Sequence, residues 1–271
     1  MERGKEKESG AISQERRMGL LYDSRCANTS HRMRQTMSKI LTALSQFEIN
    51  SKASVFLNGN CVLIDAKKAQ DKHLRLVHSI NHVSTMKNIS SKKFKLRRIE
   101  LTSEWDSIYF NEGSSEAAFL AAGSSIQVVE KVASGELESA VSIVRPPGHH
   151  AEWKKRNGIL QHDLDVKKIL IVDWDVHHGN GNQKMFWYDS RVLFFSVHRH
   201  ESRNFYLAND DRFYTKVREG EGVGYNINVP WENANCGDAD YFAVWDHILL
   251  PRLMTTSFIL RSEKQKGLDI I

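Results

Sequence analysis

Ile169-Leu-Ile-Val-Asp-Trp-Asp-Val-His-His-Gly-Asn-Gly181 is the stretch around which the chain is arranged. Its first four residues are a continuous apolar run, the pattern of a strand buried on both faces of a parallel sheet. Acids and an imidazole follow at alternating positions, Asp173, Asp175 and His177, before a Gly-Asn-Gly turn. Alternation sends every second side chain of a strand to one face, so Asp175 and His177 can converge just past its carboxyl end. Open α/β sheets bind their ligands at that edge. An Asp and a His in this spacing offer the oxygen and nitrogen donors that zinc accepts. In the alternative reading the acids cap a helix and the histidines are polar loop residues, and spacing leaves both open.

A second stretch, Val141-Ser-Ile-Val-Arg-Pro-Pro-Gly-His-His-Ala-Glu152, repeats the design: a buried-strand run, a Pro-Pro-Gly break, then His149 and His150. Imidazoles titrate near neutral pH, so one can act as base and its neighbour as acid or electrostatic partner toward an activated water. Taken alone, such a pair is more often two solvated loop residues. A third apolar strand closes on Ser196-Val-His-Arg-His200, and three strand ends bearing histidines strain the solvated reading.

These motifs carry a resemblance. Arg145-Pro-Pro-Gly-His-His-Ala-Glu152, Asp173-Trp-Asp-Val-His-His-Gly-Asn-Gly181 and Phe194-Phe-Ser-Val-His-Arg199 resemble the class II zinc-dependent histone deacetylases, the plant-type members in particular. The resemblance runs from about Met18 to about Leu250. Arginases share the fold but place an Asp two residues after the first His of the metal motif, where this chain has Gly179. The acetylpolyamine amidohydrolases are a near neighbour.

The resemblance implies an α/β fold: an arginase/deacetylase-like three-layer α/β/α sandwich on a parallel sheet of strand order 2-1-3-8-7-4-5-6. Six of those strands are legible, so the domain over 18–271 is expected to be partial, with strands seven and eight missing from the middle. By the same resemblance Asp175 and His177 are zinc ligands, and His149 and His150 the acid/base pair. Asp173 and Ser196, with backbone carbonyls of Asp175, His177 and Val197, match a structural potassium site, and Phe205 an aromatic of the acyl-lysine tunnel. A second Asp ligand and an oxyanion-binding Tyr find no counterpart. The family's Gly-Phe-Cys turn and Asn-Asn helix are replaced by Trp153-Lys-Lys-Arg-Asn-Gly-Ile-Leu-Gln-His-Asp163, an internal break near 153–165 that removes one tunnel wall. A catalytic zinc normally keeps three protein ligands and one open position, so zinc is expected to be held weakly. Activity is expected to be weak or absent, since one lost oxyanion donor costs ~10²–10³ in rate.

Two functions follow. One is a zinc-dependent hydrolase of acetyl-lysine on histones or other proteins. The other is a non-catalytic deacetylase-like protein that binds or competes within chromatin complexes, with a non-functional truncated product as the bland third. The implied partners are acetylated protein lysines and corepressor-type proteins. Neither sequence-specific nucleic-acid binding nor a membrane is expected.

Composition is compatible with this. With 41% hydrophobic and 26% charged residues the 271-residue chain reads as an ordinary globular protein of one α/β domain. The balance of 38 basic against 33 acidic residues is mild. Its excess is local, in Lys92-Lys93, Lys95, Arg97-Arg98 and Lys154-Lys155-Arg156, which read as solvated helix ends or as nuclear-import and chromatin contacts. Cys26, Cys61 and Cys236 lie far apart without metal-finger spacing, which suits a reducing compartment. No run approaches the ~20 apolar residues of a membrane span, and nucleus or cytoplasm is the expected location. Residues 1–17 read as a charged, disordered leader.

Along the rest of the chain, helical spacing is expected over Ser38–Phe47. An edge strand is expected at Asn60–Asp65, one amphipathic helix over Asp71–His82, and an Ala-rich helix over Ser114–Val132. Asp238 is expected to cap a helix whose apolar side holds Phe242, Val244, Trp245, Ile248 and Leu249.

Overall fold

Every apolar run read as a strand pairs in parallel, but the pairing stops halfway. In this computed structural model residues 17–27, 61–104, 108–151, 166–205 and 210–255 are described. The expected leader through residue 16, the helix over Ser38–Phe47, the break near 153–165 and the final run Gly267–Ile271 lie outside them. The strands are β1 (Met18–Tyr22), β2 (Cys61–Ile64), β3 (Ser139–Ile143), β4 (Ile169–Asp173), β5 (Val192–Arg199) and β6 (Asn226–Trp231). They form two three-stranded sheets, β2-β1-β3 and β4-β5-β6. These are the two flanks of the expected strand order. Among the described residues nothing pairs with the inner edges of β3 and β4.

Burial follows from that topology. β5, central in its sheet, is buried from Val192 to His198. On β3 only Ile143 is buried, and on β4 only Ile169 and Leu170, the other residues of β4 being half-exposed. An edge strand lacking its neighbour has this profile.

Layering follows from alternation. Leu170, Leu193, Phe195 and Val197 point to one face, where they pack with Val244, Leu249 and Leu253. Those three residues belong to α6 (Asp238–Val244), a π-turn (Trp245–Leu249) and α7 (Leu250–Thr255). Ile169 and Val192 point to the other face and pack with Phe186, Val129 and Ala133. The last two residues lie on α4 (Ser114–Ala133). Helices α1 (Asp71–Val77), α2 (Ile80–Asn88) and α3 (Lys95–Glu104) precede it, and α5 (Asn180–Met185) follows β4. α4 also buries Leu120 against Cys26 and Ile143, and Val128 against Leu21 and Ile64. One Ala-rich helix thus packs on both sheets and ties the halves together.

Three expectations need correction. The single helix over Asp71–His82 is two, α1 and α2, because Ser79 takes extended backbone and caps α2 by accepting the His82 N–H. The cap of α6 is Gly237 rather than Asp238, and Asp240 closes the turn by accepting the Gly237 N–H at 2.8 Å. Phe242 and Ile248 do not join the core: they are 67% and 39% exposed, whereas Val244 and Leu249 are buried. The π-turn rotates the helix between them, so a 3.6-residue stripe does not carry through.

Candidate active site

The loops after β3 and β4 meet at glycine. The Gly181 N–H donates to the His149 carbonyl at 2.8 Å. A Cβ on Gly181 would fall 2.7 Å from backbone atoms of Ala151, and one on Gly179 would fall 2.2 Å from Asp173 Oδ2. No larger residue allows these approaches, which explains the Gly-Asn-Gly punctuation.

This contact delivers both histidines to hydrogen-bonding partners at the end of β4 and the start of α5. His149 Nδ1 lies 3.0 Å from Asp173 Oδ2, and His150 Nδ1 lies 2.8 Å from Asn180 Oδ1. The two rings sit 4.0 Å apart, and the His177 ring meets that of His150 edge-on at 5.8 Å. Their pKa values move in opposite directions. Burial pulls His149 down, but the hydrogen bond and charge of Asp173 outweigh it and raise it above the usual histidine value. Burial lowers His150, with the Asn180 bond opposing and the charges of His149 and His177 reinforcing. Sequence reading assigned Asp173 to a potassium site and missed Asn180. The only available signal for Asn180 was its place in the turn.

Asp175 and His177 converge as their alternation requires. Asp175 Oδ1 accepts the His177 backbone N–H at 2.8 Å and lies 2.9 Å from His177 Nδ1. Burial works to raise the Asp175 carboxyl, yet the bonds from His177 hold it below the ordinary aspartate value. Two donors each about 2.0–2.1 Å from one zinc ion lie about 3.3 Å apart at the tetrahedral angle. The pair therefore fits such an ion in donor type and, with slight opening, in spacing. It does not fit in number, because the described residues hold no group of three His, Cys, Asp or Glu arranged for a metal.

The Phe205 ring is stacked on that of His177 at 5.3 Å and 22°. Asp173 and Ser196 are register partners on β4 and β5. Asp173 Oδ1 accepts the Asp175 N–H, and Ser196 Oγ lies 3.0 Å from His198 Nδ1.

Behind the site a buried polar network fixes the segment after β5. His198 Nε2 lies 3.0 Å from the Arg212 carbonyl. Gln183 and Asn228 amides donate to the Asp211 carbonyl, and that of Asn226 to Lys216. Gln183 Oε1 meets His178 Nε2 at 3.0 Å. Burial lowers His178 to about 4, and burial with the charge of His178 lowers His198 to about 3. Both folded values lie below the unfolded ~6.5. Their stabilisation is therefore complete above ~6.5 and is lost as pH falls toward 4 and then 3. Urea midpoints are expected to drop steadily from pH 6.5 to 4, the unfolding free energy falling by at most about 2 kcal/mol per histidine at pH 5. A midpoint flat down to pH 5 would contradict the buried, neutral assignment.

Comparison with known proteins agrees with the motifs. The histone deacetylase domain family matches residues 29–258. Histone deacetylase 18 of Arabidopsis thaliana is 58% identical over 206 residues, which is 70% of this chain and 30% of that protein. Human polyamine deacetylase HDAC10 is 36% identical over 207 residues, 72% of this chain and 31% of that protein. The crystal structure of the HDA15 HD domain superposes with a TM-score of 0.71 at 30% identity, covering 88% of this chain and 69% of that one. The chain spans about a third of the length of the curated relatives it matches. With the motifs, the parallel α/β architecture and these similarities together, the chain belongs to the histone deacetylase family, among its plant-type class II members.

Proposed function

We propose that this protein carries the metal-and-proton part of an amidohydrolase site acting on acetylated lysine side chains of proteins, histones among them. The supporting observation is the pair of dyads, His149–Asp173 and His150–Asn180, set beside the converging donors of Asp175 and His177. Environments that push two neighbouring titratable groups apart mark an acid and a base. Oriented through its Nδ1–H bond to Asn180, neutral His150 is the base that takes the proton of the attacking water. His149, held protonated by Asp173, returns a proton to the departing lysine amine. The flat Phe205 ring suits the aliphatic stem of the lysine. Asp175 and His177 would hold zinc, which when bound supplies Lewis acidity toward the acetyl carbonyl. A structural potassium ion at Asp173 and Ser196 belongs to the same reading. So do corepressor-type partners and a nuclear or cytoplasmic location, consistent with the basic runs Lys92-Lys93, Lys95 and Arg97-Arg98.

A second reading, a non-catalytic binder of acetylated or chromatin proteins, is favoured by the two-donor metal site and the half-exposed edges of β3 and β4. Metal loading and turnover separate the two. The purified chain is expected to lose zinc on dialysis against a mild chelator. His177→Ala should remove whatever zinc remains, and the exposed control His247→Ala should not. Stoichiometric zinc surviving dialysis would require a third ligand, for which Asp163, outside the described residues, is a candidate. Zinc-dependent hydrolysis of an acetyl-lysine peptide, lost in His177→Ala, supports the enzyme. Peptide binding with no hydrolysis at saturating zinc supports the binder.

A further inference from the structure

Phe205 is held by two arginines. The Arg199 guanidinium lies 4.3 Å from the centre of its ring, and buried Arg212 donates through Nη1 to its backbone carbonyl. The same ring stacks on His177. Arg199 is itself fixed, its Nε donating to Glu201 Oε1 at 2.6 Å.

The turn that presents Glu201 is unusual. Glu201 and Ser202 are consecutive non-glycine residues at φ 48° and 50°, a left-handed conformation that L side chains disfavour. It is latched from the residue just past β6: Glu232 Oε2 accepts from the Ser202 N–H at 2.7 Å and from its hydroxyl at 3.0 Å, and Oε1 lies 3.0 Å from His200 Nδ1. An ordinary surface ion pair is worth too little to sustain two strained residues. Strain of this kind persists where the surroundings over-determine it and clusters at functional sites. What the turn accomplishes is to hold a guanidinium over an aromatic ring, a contact that Lys does not reproduce in full.

We infer that Arg199, clamped by the Glu201–Ser202 turn, is a positioning residue that sets the Phe205 ring over His177 and so shapes the acyl-lysine wall. The inference deepens the deacetylase reading and rests on it for the identity of the wall. Arg199 acts through Phe205 and is not itself catalytic.

The test reads the ring contact directly. His177 ring signals are followed by NMR in histidine-labelled protein, with Phe205→Leu defining the position they take without the stacked ring. Arg199→Met is expected to move them most of the way there, and Arg199→Lys only part of the way, with the far-ultraviolet circular dichroism spectrum unchanged. A purely structural salt bridge would leave the signals in place. Unmoved His177 signals in Arg199→Met overturn the inference. So does Phe205→Leu leaving them where the parent has them. Should Arg199→Met fail to fold, Glu201→Gln, which loosens the guanidinium without removing it, must shift the same signals in the same direction; no shift overturns the inference. Absence of acetyl-lysine hydrolysis with the shifts intact would sink the deacetylase reading and leave the positioning role standing.

Discussion

His150→Ala is expected to lower hydrolysis of an acetyl-lysine peptide by the zinc-loaded protein about 10²–10⁴-fold, the usual weight of a positioned general base. The pH profile should carry the signature of the two dyads. His150 must be neutral to accept a proton, and its pKa is lowered chiefly by burial, so the acidic limb lies below the ordinary histidine value. His149 must be protonated to donate, and Asp173 raises its pKa against the pull of burial, so the alkaline limb lies above that value. The result is a plateau between the two limbs. Asp173→Asn removes the charge that raises His149 and should draw the alkaline limb down, with little change on the acidic side. Gly179→Ala should act in the same direction, because its Cβ would displace Asp173 Oδ2. A His150→Ala rate within tenfold of the parent would refute the base assignment, and an alkaline limb unmoved in Asp173→Asn would refute the dyad.

Much of this site was legible in the sequence. An apolar run that ends in alternating acids and imidazoles, read as a strand, sends those side chains to one face past its end, and Asp175 with His177 converges there. The partners of the histidines were not legible in the same way. Asn180 sits in a Gly-Asn-Gly turn whose glycines are needed for close approach, so its side-chain role hides behind an ordinary turn signature. Arg199 reads as one more charge after a strand until Glu201, Ser202 and Glu232 are brought together from two segments of chain. Helix α7 was not among the expectations, for another reason. Pro251 is the second residue of α7, just past a π-turn in which the Leu250 N–H donates to the Trp245 carbonyl. A missing N–H is tolerated in a first turn, and a proline that usually marks an end marks a restart here.

The second large effect concerns the space between the sheets. Among the described residues β3 and β4 each present one unpaired edge, and Val141 and Val172 on them are half-exposed while β5 is buried almost throughout. Within those residues the halves are joined by α4 and by the loop contacts of the site rather than by a backbone ladder. Each poorly paired backbone group in such an interior costs about 1–3 kcal/mol, against a net stability of about 5–15 kcal/mol for an ordinary domain. Flat apolar edges are also templates for another chain. Residues 18–271 expressed alone are therefore expected to associate or aggregate in size-exclusion chromatography and to unfold without one sharp transition. Val172→Lys, which puts a charge on the β4 edge, should shift the population toward monomer without restoring stability. Addition of strands between β3 and β4 by a second polypeptide should instead raise the melting temperature and protect Asp173 and its neighbours from hydrogen exchange. A monomer with one cooperative transition above ~45 °C, the low end for mesophilic domains, would mean that the two sheets close on each other in solution. The loop contact between His149 and Gly181 would then be the hinge about which they close, because it already holds the two strand ends at hydrogen-bond distance.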